Sequence, residues 1–387
     1  MPNPLLEKTD EVAPLLREES AAAEQARQMP QRTMDALIDA GFFRTWIPKA
    51  YGGFEMPPLD AFDVFERLAL VDSAAGWVVS NCAFISTAYQ NFPEPTVRGI
   101  MQNPRAVIAG SFVGAGTARA VEGGYVVNGK WSFGSACHHA SDMVGAAVLV
   151  DDNGPIHGPT GGPTLFAVHL QPGQFTIQDN WHVLGLRGTG SHDYAAADLF
   201  VEAAHTFALG APAGNPAYSG PLYRLGAWID ASRIAVVALA IAKAAHEDFM
   251  GLAKSKTPAY MAQVLSERAT IQERAARARA LIEAGKASVY TAVGAAWEAV
   301  QDGPKVTPAE GISMGLAAAF GLDAAVQAVE LLYECAGSTA FRDSHPFQKR
   351  FRDVQVLRGN AITSWPRYES LGKLMMGLPS DWMAHNG

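Results

Sequence analysis

The sequence predicts an α+β chain in three parts: an N-terminal helical domain over residues 1–110, a central β barrel or sandwich over 111–225, and a C-terminal helix bundle over 226–387. Three textures predict it. Helix formers at helical spacing fill the first part, and long Ala- and Leu-rich stretches fill the last. Between them, short apolar or alternating runs are broken by Gly, Pro, Asn and Asp about every ten residues. With 387 residues and 49% hydrophobic content, the chain can bury a sizeable core.

In the first part, EVAPLLREESAAAEQARQMPQRTMDALIDAGFF is rich in good helix formers. Met34, Leu37 and Ile38 fall on one helical face, and Gly41 is placed to end that helix. YGGFEMPPLD is a turn-rich connection before helical periodicity resumes in AFDVFERLALVDSAAGWVVSNCAFISTAYQNF. In the middle part the strand runs are AVIAGSFV, GYVVNGKWSF, MVGAAVLV, TLFAVHL, FTIQDNWHVL and DYAAADLFV, with Asp151 to Pro163 forming a hairpin excursion or flap. In the last part, WIDASRIAVVALAIAKAAHEDFMGLAKSK has a wide apolar face, a second long helix is more amphipathic, and Thr307 with Glu310 caps a third. Long helices with short connections make a bundle, and so much apolar surface predicts an oligomer.

Composition excludes several function classes. A formal charge of -8 with scattered lysines and arginines argues against nucleic-acid binding, which needs a clustered positive field. Cys82, Cys137 and Cys335 are few, far apart and odd in number, which predicts neither a disulfide framework nor a zinc site and fits a reducing cytoplasm. The N-terminus is acidic where a signal peptide would be basic, and no run of about 20 apolar residues is evident, so no membrane association is expected. GAGTARA and GLRGTGS are glycine-rich, but neither forms a GxGxxG turn in a βαβ unit, so no nicotinamide site is expected.

The chemistry concentrates around GKWSFGSACHHA, residues 129–140. Strand alternation would put Trp131, Phe133 and Ser135 on one face, with Lys130, Ser132 and Gly134 on the other. His138 and His139 are adjacent, would point opposite ways on a strand, and have no third ligand spaced to complete a metal site. GLRGTGSHD, YECAGSTA and HPFQKRFRDV follow later in the chain. Together these four motifs resemble the acyl-CoA dehydrogenase superfamily, and within it the branch of two-component, reduced-flavin-dependent monooxygenases (group D flavin hydroxylases). The resemblance covers essentially the whole chain.

That resemblance implies a homotetramer in which the flavin ring lies between the β domain and the bundle. Trp131, Phe133 and Ser135 would line the flavin, Ser135 near N5, and Arg352 and Asp353 fall in the segment that lies near the cofactor. Ser111 and Asn360 would border substrate or peroxide, and Arg233 would help stabilise the charged flavin intermediate. The dehydrogenases need a carboxylate base shortly after the RD pair, and VQVLRGNAITSWPRYES offers none before Glu369; Glu247 and Asp248 are the alternatives on the first bundle helix. Where the hydroxylases often place a His after the RD segment, this chain has Asn360. The resemblance therefore implies an enzyme that takes FADH2 or FMNH2 from a separate NAD(P)H:flavin reductase, with O2 as co-substrate. It would insert one oxygen atom into an aromatic or heteroaromatic small molecule through a C4a-hydroperoxyflavin. The alternatives are an acyl-CoA dehydrogenase-like enzyme oxidising a thioester and a catalytically idle flavin- or ligand-binding relative.

Overall fold

The computed structural model describes residues 3–158, 162–209, 214–380 and 382. Five helices open the chain: α1 (Leu6–Ala26), α2 (Gln31–Asp39), α3 (Pro58–Val71), α4 (Ser73–Thr87) and α5 (Glu94–Met101). Eight strands follow: β1 (Ile108–Val121), β2 (Gly124–Gly134), β3 (Asp142–Asp151), β4 (Gly154–Pro155), β5 (Leu165–Leu170), β6 (Thr176–Gln178), β7 (His192–Glu202) and β8 (Thr206–Ala208). Helices α6 (Pro221–Arg224), α7 (Trp228–Ser255), α8 (Ala269–Ala299), α9 (Pro308–Ala336), α10 (Pro346–Arg358) and α11 (Pro366–Met375) complete it. The predicted α+β class and the order helix, sheet, helix are both present. Part of the Asp151–Pro163 excursion lies outside the described residues.

These elements gather into two compact units, residues 1–56, 78–182 and 187–223 in one, and residues 57–77, 183–186 and 224–387 in the other. The first contains one sheet of order β6-β7-β2-β1-β3-β5-β8, with β4 paired to β3. Every pairing is antiparallel except β1 with β3. Its core centres on Trp131, fully buried and stacked on Tyr194 at 5.2 Å between ring centroids. Gly116, Gly129 and Gly145 make room for that indole, since a Cβ at any of them would lie 2.5–3.0 Å from its ring atoms. The indole N–H donates to Ala146 O at 2.5 Å, so its one polar atom is satisfied inside.

The second unit is helical. α7 is buried over most of its length, as its wide apolar face requires, and packs on α8, α9, α10 and α3. Thr307 caps α9 through the Glu310 N–H, and the Glu310 carboxylate accepts from the Thr307 N–H at 2.7 Å, the expected capping box. One expectation is corrected here: residues Pro308–Thr339 are long and apolar enough to cross a membrane by length and composition, with a mean hydropathy of 1.5 in the best window. That window is 67% buried inside the unit, as befits a core helix.

Candidate active site

The stretch 129–140 does not run on as a regular strand. Phe133 adopts φ +67°, and the register of β2 against β7 shifts between Trp131 and Gly134. A positive φ in a bulky residue costs about 1–2 kcal/mol and turns the side chain out of the pleat. The expectation that Trp131 and Phe133 share a face is therefore corrected: Trp131 is fully buried, while Phe133 is 54% exposed. Trp131 has no surface to offer a ligand and belongs to the core.

After Gly134 the chain turns through residues 135–139, so His138 and His139 sit on a turn and not on a strand. Ala136 also has a positive φ, +62°, and its N–H donates to Thr189 O at 2.9 Å. Ser135 is buried, with its hydroxyl 2.8 Å from that of Ser191, which in turn lies 2.6 Å from Thr189 Oγ1. A chain of three buried hydroxyls thus ties the end of β2 to the segment before β7. Cys137 donates to Gly190 O, and burial pushes its thiol up to about 12, which leaves it unreactive. Burial also lowers the pKa of His138, with help from the neighbouring His192 and His139, and of His139, whose Nε2 is 2.8 Å from Met29 O.

Ser111 lies on β1, beside β2, and is buried; its hydroxyl accepts from the Val113 N–H at 3.0 Å. Its own N–H donates to the Tyr194 hydroxyl at 3.0 Å, and Tyr194 donates to Val144 O. Register between β1 and β3 shifts between Ser111 and Gly116, and Val113 within that irregular stretch is 49% exposed. Pairing of Gly114 with Trp131 places Val113 alongside the Ser132–Phe133 end of β2. An exposed valine and an exposed phenylalanine therefore lie on neighbouring strand ends that also carry the buried Ser111 and Ser135. Phe133 is flanked by Trp181, edge-on at 6.2 Å and 88°, a residue that the sequence reading passed over.

The remaining candidates lie in the helical unit. Arg233 on α7 is buried, pairs with Asp230 and stands over the Trp77 ring at 5.3 Å. Burial raises the Asp230 pKa and the Arg233 guanidinium opposes that rise. Arg352 donates from Nε to Gln348 at 2.6 Å and from Nη1 to Leu184 O at 2.7 Å. Asp353 is fully buried: one carboxylate oxygen accepts from the Leu186 N–H at 2.6 Å, the other from the Ser73 hydroxyl and from Lys349 Nζ at 2.8 Å. Burial works against the Lys349 charge, but Asp353 and Asp72 outweigh it and raise its pKa. Gly185 is required beside this anchor, because a Cβ there would fall 2.4 Å from the Arg352 backbone. Asp353, expected in the segment near the cofactor, is fully buried with both oxygens bonded inside the helical unit. Asn360 follows the Gly359 cap of α10, its side-chain oxygen accepting from the Ile362 N–H at 2.9 Å.

A cavity of about 410 Å³ opens in the helical unit between α3, α7 and α8, with Val236, Leu239 and Ile282 as its apolar part and Glu66, Lys243 and Lys286 paired at its edge. None of the motif residues lines it. Glu247 lines it, and Asp248 pairs with Arg350 at 3.5 Å. Among the described residues no cluster of three or more His, Cys, Asp or Glu side chains is arranged to hold a metal.

Apolar exposed side chains over hydroxyl donors suit a flat, largely apolar ring with polar edges. Residues 9–95 match the family described as acyl-CoA dehydrogenase, N-terminal domain, and residues 232–365 match acyl-CoA dehydrogenase, C-terminal domain, together more than half of the chain. The indole-3-acetate monooxygenase of Acinetobacter baumannii is 29% identical over 94% of this chain and 92% of its own length. The flavin-dependent monooxygenase oxygenase subunit HsaA of Mycobacterium tuberculosis is 28% identical over 97% of this chain and 96% of its own. The fold also matches XiaF from Streptomyces, solved in complex with FADH2 and glycerol, with a TM-score of 0.89, 24% identity, and coverage of 98% of this chain and 96% of that one.

Proposed function

The chain belongs to the acyl-CoA dehydrogenase superfamily, in its branch of two-component flavin-dependent monooxygenases, and from that premise we propose that it hydroxylates an indole-like or phenolic small molecule. Reduced flavin supplies the two electrons that let O2 deliver one oxygen atom to the substrate and the other to water. A separate reductase supplies that flavin. The observation that carries the reading is Phe133, an aromatic ring held half-exposed in a strained backbone conformation two residues from the buried Ser135. Strain of this kind persists where the surroundings over-determine it, and such places cluster at ligand sites.

In this reading Phe133 and Val113 give the flavin an apolar face, and Ser135 and Ser111 stand at its polar edge with hydroxyls already oriented by Ser191 and by the Val113 N–H. Arg233, Arg352 and Asn360, all in the helical unit, are proposed by themselves as further flavin and substrate contacts. Trp131 and Asp353 are withdrawn from it, since both are fully buried and saturated. Asn360 stands where a proton-accepting histidine is frequent in the branch, which favours a substrate ring that reacts without being deprotonated, such as an indole. FAD is proposed over FMN, the assembly as a homotetramer, the location as cytoplasmic, and the division at 1–110, 111–225 and 226–387 as the domain boundaries.

The test supplies the purified protein with reduced flavin under 18O2 together with indole-3-acetate, a phenol, or an acyl-CoA. The expected result is one 18O atom in an aromatic product. Oxidation of the thioester with no labelled product would instead establish the dehydrogenase alternative, and failure to bind flavin the idle one.

A further inference from the structure

The strand end that carries Phe133 is held by a residue with no role in the account so far. His192, the first residue of β7, is buried, and its Nδ1 lies 3.2 Å from both the Asn180 and the Trp181 backbone nitrogens, whose hydrogens point at it. A backbone amide always carries its proton, so Nδ1 receives two N–H bonds and must be the bare, unprotonated nitrogen. The ring proton is then on Nε2, where Arg27 O stands 3.2 Å away to accept it. The tautomer is fixed by its neighbours.

Protonation of Nδ1 would reverse this arrangement. Gln178 O lies 3.1 Å from Nδ1 and would accept the new proton, while both amides would face a donor and be expelled. What they hold is the strap carrying Trp181, whose indole stands edge-on to Phe133. The surrounding charges come from every neighbouring segment. Asp179 Oδ1 on the strap is 3.8 Å from Nδ1, and the His138 ring, on the turn after β2, is 5.0 Å away edge-on. Arg27, at the end of α1, is pinned by Asp179 at 2.6 Å and by His182 at 3.1 Å.

We propose that His192 is a positioning residue for the Phe133–Trp181 wall and that it acts only in its neutral, Nε2-protonated form. The inference rests on Phe133 being a flavin contact. Loss of both amide hydrogen bonds frees the wall and is expected to lower flavin affinity about ten-fold.

The test measures, at one neutral pH, the affinity of the full-length protein for reduced FAD and FMN, anaerobically, and the hydrogen exchange of the peptide spanning residues 179–182, in the wild type and three variants. His192→Asn puts an amide oxygen near the Nδ1 position and should keep the 179–182 protection and bind within a few-fold of wild type. His192→Leu removes the acceptor and should lose that protection together with about ten-fold in affinity, while His138→Asn should behave as wild type. A His192→Leu variant that keeps protection and affinity overturns the proposal, as does a folded His192→Asn variant that loses both. If no variant binds flavin, the flavin reading fails, and the exchange of the 179–182 peptide still decides the clamp. Should the His192 variants not fold, the ring 15N signals of His192 in the wild type decide it, a proton on Nδ1 overturning the proposal.

Discussion

The end of β2 and the first turns of α10 are both built from motif residues, and they solve opposite problems. At Asp353 every polar group has its partner: Leu186, Ser73 and Lys349 consume both carboxylate oxygens and nothing reaches the surface. At Phe133 the backbone is strained and the ring is half-exposed, while the Ser135 hydroxyl two residues on is satisfied by Ser191. Saturation marks a place that holds the fold together. Strain combined with exposure marks a place kept for something else.

The contrast can be broken from the stable side first. Asp353→Ala strands the buried Lys349 charge and the Leu186 N–H, and should cost about 3–5 kcal/mol, read as a lower midpoint in denaturant. A loss under about 1 kcal/mol would deny that Asp353 is a buried anchor. Trp131→Ala empties the space that three glycines make and should cost about 3–5 kcal/mol too, with flavin affinity falling only as far as the folded fraction does. Ser135→Ala, in the middle of the hydroxyl chain, is expected to cost about 1 kcal/mol and to weaken flavin binding a few-fold; unchanged stability and binding would remove it from the site.

The smallest effects are those of pH. Burial depresses the His138 and His139 pKa values, so the stability they contribute is present above the ordinary histidine value and is lost as pH falls through their folded values. Lys349 has the opposite sign: with its folded pKa raised, its contribution is full below the ordinary lysine value and is lost only as pH rises through the folded one. Denaturation midpoints across pH should fall on both flanks, the acid one softened by His139→Gln and the alkaline one softened in Asp353→Asn, the buried Cys137 thiol keeping part of it. A flat profile would contradict both assignments.

Texture and caps were legible in the sequence, and so was the succession of helix, sheet and helix. The Thr307–Glu310 box needs only four residues to be recognised, and it forms. The face of Phe133 was not legible, because alternation assumes regular strand geometry and a phenylalanine at positive φ carries no glycine or asparagine to announce it. Nor was the packing of residues 57–77 with the C-terminal helices, which depends on pairs far apart in sequence such as Tyr290 with Asp63 at 3.0 Å. Trp181 and His192 lay within or beside motif segments already singled out. Only their hydrogen bonds, brought together by the pairing of β6 with β7, show what they hold.

The most direct measurement replaces Phe133 by Gly and determines stability and flavin affinity in the same samples. Relief of about 1–2 kcal/mol of backbone strain should roughly offset the lost packing and the added chain entropy, leaving stability within about 1 kcal/mol of wild type. Flavin affinity should nonetheless fall by about ten-fold or more, as the loss of an aromatic contact worth some 1–2 kcal/mol requires. Unchanged affinity at unchanged stability would contradict the account, because the strained ring would then have no ligand to face.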